Sequence, residues 1–137
     1  MIFVVVVVLV LALVLAVIIG VARDPGPSPA DTAIGYELAW DRLDFDAVYH
    51  LMGDELRENL TRQEFVAAQR TAQANGERVG HLVEHVSVEL VDEGKEAAVV
   101  LTRLVLRDGG EIQHELWLAH RDSWVVVLCS LRPAPAT

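Results

Sequence analysis

The first 22 residues constrain the chain more than any other feature. Met1–Ala22, MIFVVVVVLVLALVLAVIIGVA, contains no charged or polar side chain. A helix over residues 2–22 would rise about 31 Å, close to the roughly 30 Å hydrocarbon core of a bilayer. A cleaved signal peptide is the alternative, because Gly20 and Ala22 place small residues before a possible cut. The run exceeds the usual signal-peptide core of roughly 7–15 residues, and no basic residue precedes it. We therefore expect an uncleaved single-pass anchor in the cell membrane, with residues 2–22 in the lipid bilayer.

The charges beside this segment favour the cytoplasm for the rest of the chain but leave the side open. Lys and Arg that flank a span tend to stay cytoplasmic. Only Arg23 lies close to the predicted span, and Asp24 partly offsets it. Residues 23–29 follow with three prolines at alternate positions, which favours an extended spacer. We interpret them as a Pro-rich linker between the anchor and a folded domain.

Charge and cysteine content exclude several classes of function. The formal net charge is −9, which argues against a nucleic-acid partner because phosphate contacts need a basic surface. Cys129 is the only cysteine, so no intramolecular disulfide can form and no cysteine is available for a lipid anchor after the apolar run. It lies in the apolar run WVVVLCSL, which favours a small core residue over a reactive thiol.

Acidic residues in LDFDAVYHLMGDEL, residues 43–56, are interpreted as helix caps and first-turn acids rather than as an active site. Asp44 precedes an apolar pattern with helical spacing and suits an N-cap, and Asp46 lies in the first turn. Gly53 ends that helix, and the next two acids open another turn. The preceding helix is expected to start at Ser28 and to run to about Leu43.

Residues 61–74 complete the helical part of the chain. Thr61–Glu64, TRQE, is a capping box, and Asn75-Gly76 is a stop signal. From residue 79 onward the pattern alternates and predicts four strands, at 82–91, 95–107, 111–121 and 124–131. Helices followed by an antiparallel meander predict an α+β fold with three helices on a curved four-stranded sheet. We expect this domain to cover residues 30–131 and residues 132–137 to be a disordered tail.

Two Gly-ended segments, DEG at 92–94 and DGG at 108–110, are predicted to connect the first three strands as hairpin loops. A loop at 108–110 pairs Arg103 with Glu115 and Arg107 with Glu111, so that opposite charges face each other. It also divides the side chains between two faces. The core face is predicted to carry Ala98, Val100, Thr102, Leu104, Leu106, Ile112, His114, Leu116 and Leu118, and the outer face to carry Val99, Leu101, Val105 and Trp117 beside the ion pairs.

The order of these elements resembles the nuclear transport factor 2-like (cystatin-like α+β) superfamily. The resemblance rests on the capped helix with AW, the short LDFDAVYHLM helix, LTRQEFVAAQRTA and a meander that closes on SWVVVLCSL. More narrowly, the chain resembles small membrane-anchored bacterial members of unassigned activity. The resemblance implies a cone-shaped domain whose helices and sheet enclose a pocket, and a sheet whose outer face mediates dimers. Some members are isomerases, cyclases or dehydratases, but no position matches their catalytic motifs, so no catalytic residue is assigned.

Pocket candidates are the polar core-facing residues and the aromatic residues of the helices. His114 in such a pocket could act as a base, but a hydrogen-bonded, partly buried histidine near an end of the sheet is the favoured interpretation. His81 and His85 lie four residues apart, but no third ligand accompanies them, so we expect no metal and no cofactor. The candidates for ligand binding are Tyr36, Trp40, Tyr49, Thr102 and His114.

Outer-face residues are the candidates for an interface, because a solvated sheet face should be mainly polar. They are Val99, Leu101, Arg103, Val105, Glu115 and Trp117. From the residues alone we expect a membrane-tethered, non-catalytic binding module that forms a homodimer through this face, with no protein partner identified. The alternative is a small-molecule or enzymatic pocket for an apolar ligand with a carbonyl group. A buried acid or base that faces a cavity would favour the alternative.

Overall fold

The predicted α+β fold is confirmed in a computed structural model, which describes residues 1–22 and 26–132. Residues 23–25 of the expected linker and 133–137 of the expected tail lie outside the described part. The elements are α1 Ile2–Ala22, α2 Pro29–Asp41, α3 Phe45–Leu51, α4 Asp54–Arg57, α5 Arg62–Ala74, β1 Val83–Glu93, β2 Ala97–Leu106, β3 Glu111–His120 and β4 Trp124–Arg132. The strands form one antiparallel sheet in the order β1-β2-β3-β4.

The N-terminal apolar segment forms one continuous helix, α1. Among the described residues, it is the helix that is long and apolar enough to cross a membrane. A signal sequence near the N-terminus has the same properties. The side chains described for α1 are exposed.

Helix caps form where the sequence predicts them. Ser28 Oγ accepts a hydrogen bond from the Asp31 backbone N–H at 3.1 Å, and both bonds of the capping box are present. Asp44 Oδ1 accepts from the Ala47 N–H at 3.2 Å, so this acid is an N-cap. Thr61 and Glu64 form the second capping box. Each cap satisfies backbone donors that would otherwise have no partner in the helix.

The core lies between the helices and one face of the sheet. Phe45 and Val48 of α3 are fully buried against the inner side chains of β2, β3 and β4, such as Val100, Leu116 and Val126. Burying a side chain of this size contributes about 1.5–3 kcal/mol. The predicted division of side chains between the two faces of the sheet is correct. All nine residues assigned to the core face are buried or half-buried.

The predicted register of the β2–β3 hairpin is wrong by two residues. Arg103 lies opposite Gln113, and Leu101 lies opposite Glu115. The left-handed residue of the turn is Gly109, with φ 92°, and the Leu106 N–H donates to the Gly110 carbonyl at 2.8 Å. The three-residue loop therefore starts one residue earlier than predicted, at 107. A one-residue shift of the loop changes the pairing by two, which leaves every side chain on its predicted face.

Ion pairs on the outer face change with this register. Arg103 does not pair with Glu115; its Nε donates to Glu111 Oε2 at 3.0 Å. Glu115 instead accepts from the Trp117 indole Nε1 at 2.8 Å. Arg107 does not pair with Glu111, because its Nε donates to the His81 carbonyl at 3.0 Å. The first hairpin also turns later than predicted, beyond Glu93, because β1 includes the first two residues of DEG.

Candidate functional site

A pocket of about 540 Å³ opens between α2, the segment that leads into β1, and the inner face of the sheet. Tyr36 and Glu37 of α2 and Leu104 of β2 form its buried end. Glu77, Val79 and Leu82 lie at its exposed end. Most of its walls are apolar, with a few polar groups that converge at one place, which is the usual composition of a small-molecule site.

The polar groups of the pocket centre on Glu37, which is only 4% exposed. Glu37 Oε1 lies 2.7 Å from His114 Nδ1 and accepts a hydrogen bond from Thr102 Oγ1 at 3.0 Å. The fold thus brings together residues from α2, β2 and β3. A buried carboxylate without partners would be strongly unfavourable. These two bonds offset the free-energy cost of burying Glu37.

The carboxylate beside His114 raises the pKa of the imidazole, and partial burial opposes this effect. The hydrogen bond to Glu37 occupies Nδ1 of the ring. Nε2 is therefore the nitrogen left for a molecule in the pocket, as a donor when the ring is protonated and as an acceptor when it is neutral. The site can hold a hydrogen-bond acceptor or move a proton, depending on pH.

Two other ionisable side chains of the pocket stay protonated at neutral pH. Burial raises the pKa of Tyr36 to about 12. Burial likewise raises the pKa of the Cys129 thiol to about 12. A neutral thiol is a poor nucleophile, so Cys129 contributes a soft apolar surface to the pocket rather than chemistry.

Aromatic rings form one wall of the pocket. Trp40 packs edge to face against Tyr36, with ring centroids 6.3 Å apart, and also against Phe45 and Phe65. The Arg78 guanidinium lies 4.6 Å above the Trp40 ring. Such stacking fixes the indole and keeps a positive charge near the opening.

Asp41, at the end of α2, fixes the segment that borders the opening. Its Oδ1 accepts from the backbone N–H groups of Leu82 at 2.7 Å and of Val83 at 3.0 Å. Its carbonyl accepts from the His81 N–H at 2.7 Å. A Cβ on Gly80 would lie 2.5 Å from that carbonyl oxygen, so only glycine fits there. The border of the pocket is therefore held by specific bonds to α2.

The predicted pocket residues fall into two groups. Tyr36, Trp40 and His114 line the pocket, and Thr102 lies directly behind it, bonded to Glu37. Tyr49 lies elsewhere: its hydroxyl donates to the Leu60 carbonyl at 2.9 Å, and the Arg57 guanidinium covers its ring. Of the two histidines considered for a metal, His85 lies in β1, whereas His81 precedes the strand.

Glu37 is the functional candidate that the sequence interpretation missed. Its neighbour Tyr36 belongs to the predicted apolar face, but an acid within a helix is ordinarily read as solvent-exposed. The buried face of α2 contains Ala33, Tyr36 and Glu37, with Trp40 half-buried beside them. The spacing 33, 36, 37, 40 is that of a single helical stripe, and an acid inside such a stripe is the signal that could have identified it.

The predicted interface residues lie on the outer face of the sheet. Val99, Leu101 and Val105 are half-buried there, and Trp117 is 45% exposed. Two residues outside the predicted set extend the apolar surface, since Leu90 pairs with Leu101 and Leu128 pairs with Trp117. Arg103 and Glu115 flank this surface.

Comparisons with known proteins show the fold. No known family model matches the sequence, and no curated protein matches it. Among solved structures, the chain is similar to a protein from Campylobacter jejuni that is provisionally described as an NTF2-like transpeptidase. The TM-score is 0.56 at 18% sequence identity, and the match covers 74% of this chain and 99% of that protein. Together with the helices, the curved sheet and the pocket between them, this similarity shows that the chain has a nuclear transport factor 2-like fold.

Proposed function

We propose that the protein is a membrane-tethered module that binds a small, largely apolar molecule in the pocket. The observation that carries the proposal is the hydrogen bond between the buried Glu37 and the half-buried His114 at the inner end of a largely apolar cavity. Side chains that only fill a core are normally apolar, whereas sites for small molecules combine apolar walls with a few converging polar groups. The ligand that fits is an apolar molecule with one hydrogen-bond acceptor, such as a carbonyl oxygen, for His114 Nε2.

The module interpretation and the pocket interpretation of the sequence are thus combined, with the pocket as the functional centre. Catalysis by proton transfer at His114 is the alternative function of the same site. The 18% identity to the Campylobacter jejuni protein supports the fold only, so the activity named for that protein is not part of the proposal. We propose that α1 anchors the protein in the membrane, because its length and apolar composition favour a membrane span.

The test is native mass spectrometry of the full chain released from detergent micelles. We expect a small apolar molecule to remain bound to the natural sequence. Leu104→Trp would fill the pocket from its buried end and should abolish this retention. Leu90→Trp, on the outer face of the sheet, is the matched control and should keep the ligand. A natural chain that binds no small molecule, including added long-chain carbonyl compounds, would overturn the proposal.

We also propose that two copies associate through the outer face of the sheet. The support is the solvent exposure of three large apolar side chains there: Leu90 is 55%, Trp117 45% and Leu128 49% exposed. The acidic groups of this face are largely matched by Arg103 and Arg132. A two-fold contact brings like charges of the two copies together, so ion pairs that lower the net charge of this face favour self-association in a chain with net charge −9.

A further inference from the structure

The pocket is polar at its buried end, and its opening combines two exposed apolar side chains with the charged side chains of Glu77 and Arg78. Glu37 and His114 form the polar end. At the opening, Val79 is 64% exposed and Leu82 is 51% exposed. A molecule with its polar group bonded to His114 would therefore leave its apolar part between these two side chains.

The segment that carries the two exposed apolar side chains, Val79 and Leu82, is not a loosely held loop. Asp41 accepts hydrogen bonds from the backbone of residues 81–83, and the close approach at Gly80 excludes a side chain at that position. The Arg107 backbone N–H also donates to the Leu82 carbonyl at 2.9 Å. These bonds hold Leu82 in place at the opening, and Val79 lies next to the closely packed Gly80, so both side chains present apolar surface where water is an unfavourable neighbour.

Distance along the chain brings a bilayer within reach of the opening. Six residues lie between Ala22, at the end of α1, and Pro29, at the start of α2, so seven Cα–Cα steps connect the two helices. Fully extended, they span at most about 25 Å. A domain of about 100 residues has a radius of gyration of roughly 13 Å. If α1 spans the membrane, the domain stays beside the lipid surface, and a rotation of the domain is enough to bring the opening to it.

We propose that the ligand is a membrane-resident amphiphile with a small, uncharged carbonyl head, and that the opening docks on the bilayer. The head binds at Glu37–His114, and the tail passes between Val79 and Leu82 into the lipid. The net charge of −9 disfavours an anionic head and an anionic lipid surface. This inference rests on the proposed ligand-binding function and membrane anchor, and it adds the ligand class and the route of entry.

Photolabelling of the full chain in phosphatidylcholine vesicles tests it. The probes are two long-chain methyl ketones, one with a diazirine next to the carbonyl and one with a diazirine in the middle of the tail. We expect the first probe to label residues at the buried end, near Leu104 and His114, and the second to label the segment that contains Val79 and Leu82. Labelling of α1 by the tail probe reports that the chain is inserted in the vesicles.

Substitutions at the opening separate this inference from the proposed function. Leu82→Glu places a charge against lipid and should lower labelling of the pocket by about tenfold or more, with α1 labelled as before. Val91→Glu, at the far end of β1, should change neither the labelling of the pocket nor the labelling of α1. Val79→Glu replaces Leu82→Glu if that variant fails to fold by circular dichroism.

Three results would overturn the inference. Labelled α1 with an unlabelled pocket would refute the ligand class, and labelling of the pocket that is insensitive to both opening variants would refute docking on the bilayer. Unlabelled α1 would refute the anchor on which docking depends. In each case, retention of another ligand that Leu104→Trp abolishes would leave the pocket function standing.

Discussion

Glu37 shows how a single side chain changes the interpretation of the domain. Without it, His114 and Thr102 would be isolated polar residues of an otherwise apolar core face. With it, three side chains form one hydrogen-bonded group beside a cavity, although Thr102 is 65 positions and His114 is 77 positions from Glu37 along the chain. The sequence indicates which side chains of the sheet face inward, but only the packing of α2 on the sheet reveals that an acid meets them there.

The Glu37–His114 bond predicts a specific pH dependence of stability. In the folded chain, the pKa of His114 is raised above the value of about 6.5 that an unfolded chain would have. The folded state therefore binds this proton more tightly, and the resulting stabilisation is complete below about pH 6.5. It is lost as the pH rises through the raised pKa of the folded chain.

His114→Gln should remove this contribution, because glutamine can still donate to Glu37 but does not titrate. We expect the free energy of unfolding of the natural chain, measured with urea, to fall as the pH rises through this window, and that of His114→Gln to fall less. His85→Gln, on the other face of the sheet, should behave as the natural chain. Equal pH profiles for His114→Gln and the natural chain would contradict the assignment.

At the scale of elements, Asp44 provides the most direct test of the interpretation that the acids of residues 43–56 cap helices. Asp44→Ala removes the bond to the Ala47 N–H and should cost about 1 kcal/mol in the free energy of unfolding, without loss of ligand. Asp44→Ser restores a capping oxygen and should recover most of the stability. Loss of ligand binding by a fully folded Asp44→Ala chain would show that this acid has a role beyond capping.

The β2–β3 turn provides a second test, because its two glycines differ in backbone conformation. Gly109 has φ 92°, where an alanine is strained, whereas Gly110 is not left-handed. Gly109→Ala should therefore destabilise the chain by about 1 kcal/mol, and Gly110→Ala by less. Thermal and urea unfolding of the two variants would measure the difference. A larger effect at Gly110 would favour the register predicted from the sequence.

These elements also show what the sequence could and could not reveal. The caps at Ser28, Asp44 and Thr61 follow from local residue types, because a cap is a contact across three residues. The register of the hairpin does not, because DGG offers two glycines and either can take the left-handed position. The buried role of Glu37 depends on contacts far along the chain, and such contacts leave only a weak trace in local patterns.

For the whole molecule, the exposed outer face predicts an association that one substitution should disrupt. Trp117→Glu should convert a homodimer of the full chain in detergent into monomers, as measured by analytical ultracentrifugation, while the far-ultraviolet circular dichroism stays unchanged. Leu131→Glu also introduces a charge at an exposed leucine but lies on the inner face of the sheet, so it should leave the dimer intact. Anchoring in a membrane would strengthen the contact by raising the local concentration of domains.

A natural chain that remains monomeric at high micromolar concentration would refute the outer-face interface. A dimer that persists in Trp117→Glu would place the contact elsewhere on the molecule. Either outcome leaves the pocket hypothesis untouched, because Trp117 lies on the outer face of the sheet, whereas Glu37 of α2 packs against the inner face.

The two outermost strands are built to resist addition of further strands. On β1, the register shifts at Glu84 and Glu89 interrupt the regular row of backbone groups, and each shift carries an acid. On β4, Val126 forms a bridge with Met52, and its carbonyl accepts from the Gly53 N–H at 2.8 Å, so this edge is already occupied near its start. Irregular, charged or covered edges are how proteins avoid edge-to-edge polymerisation. Molecules crowded together on a membrane should therefore form closed pairs through their faces rather than open-ended fibres through their edges.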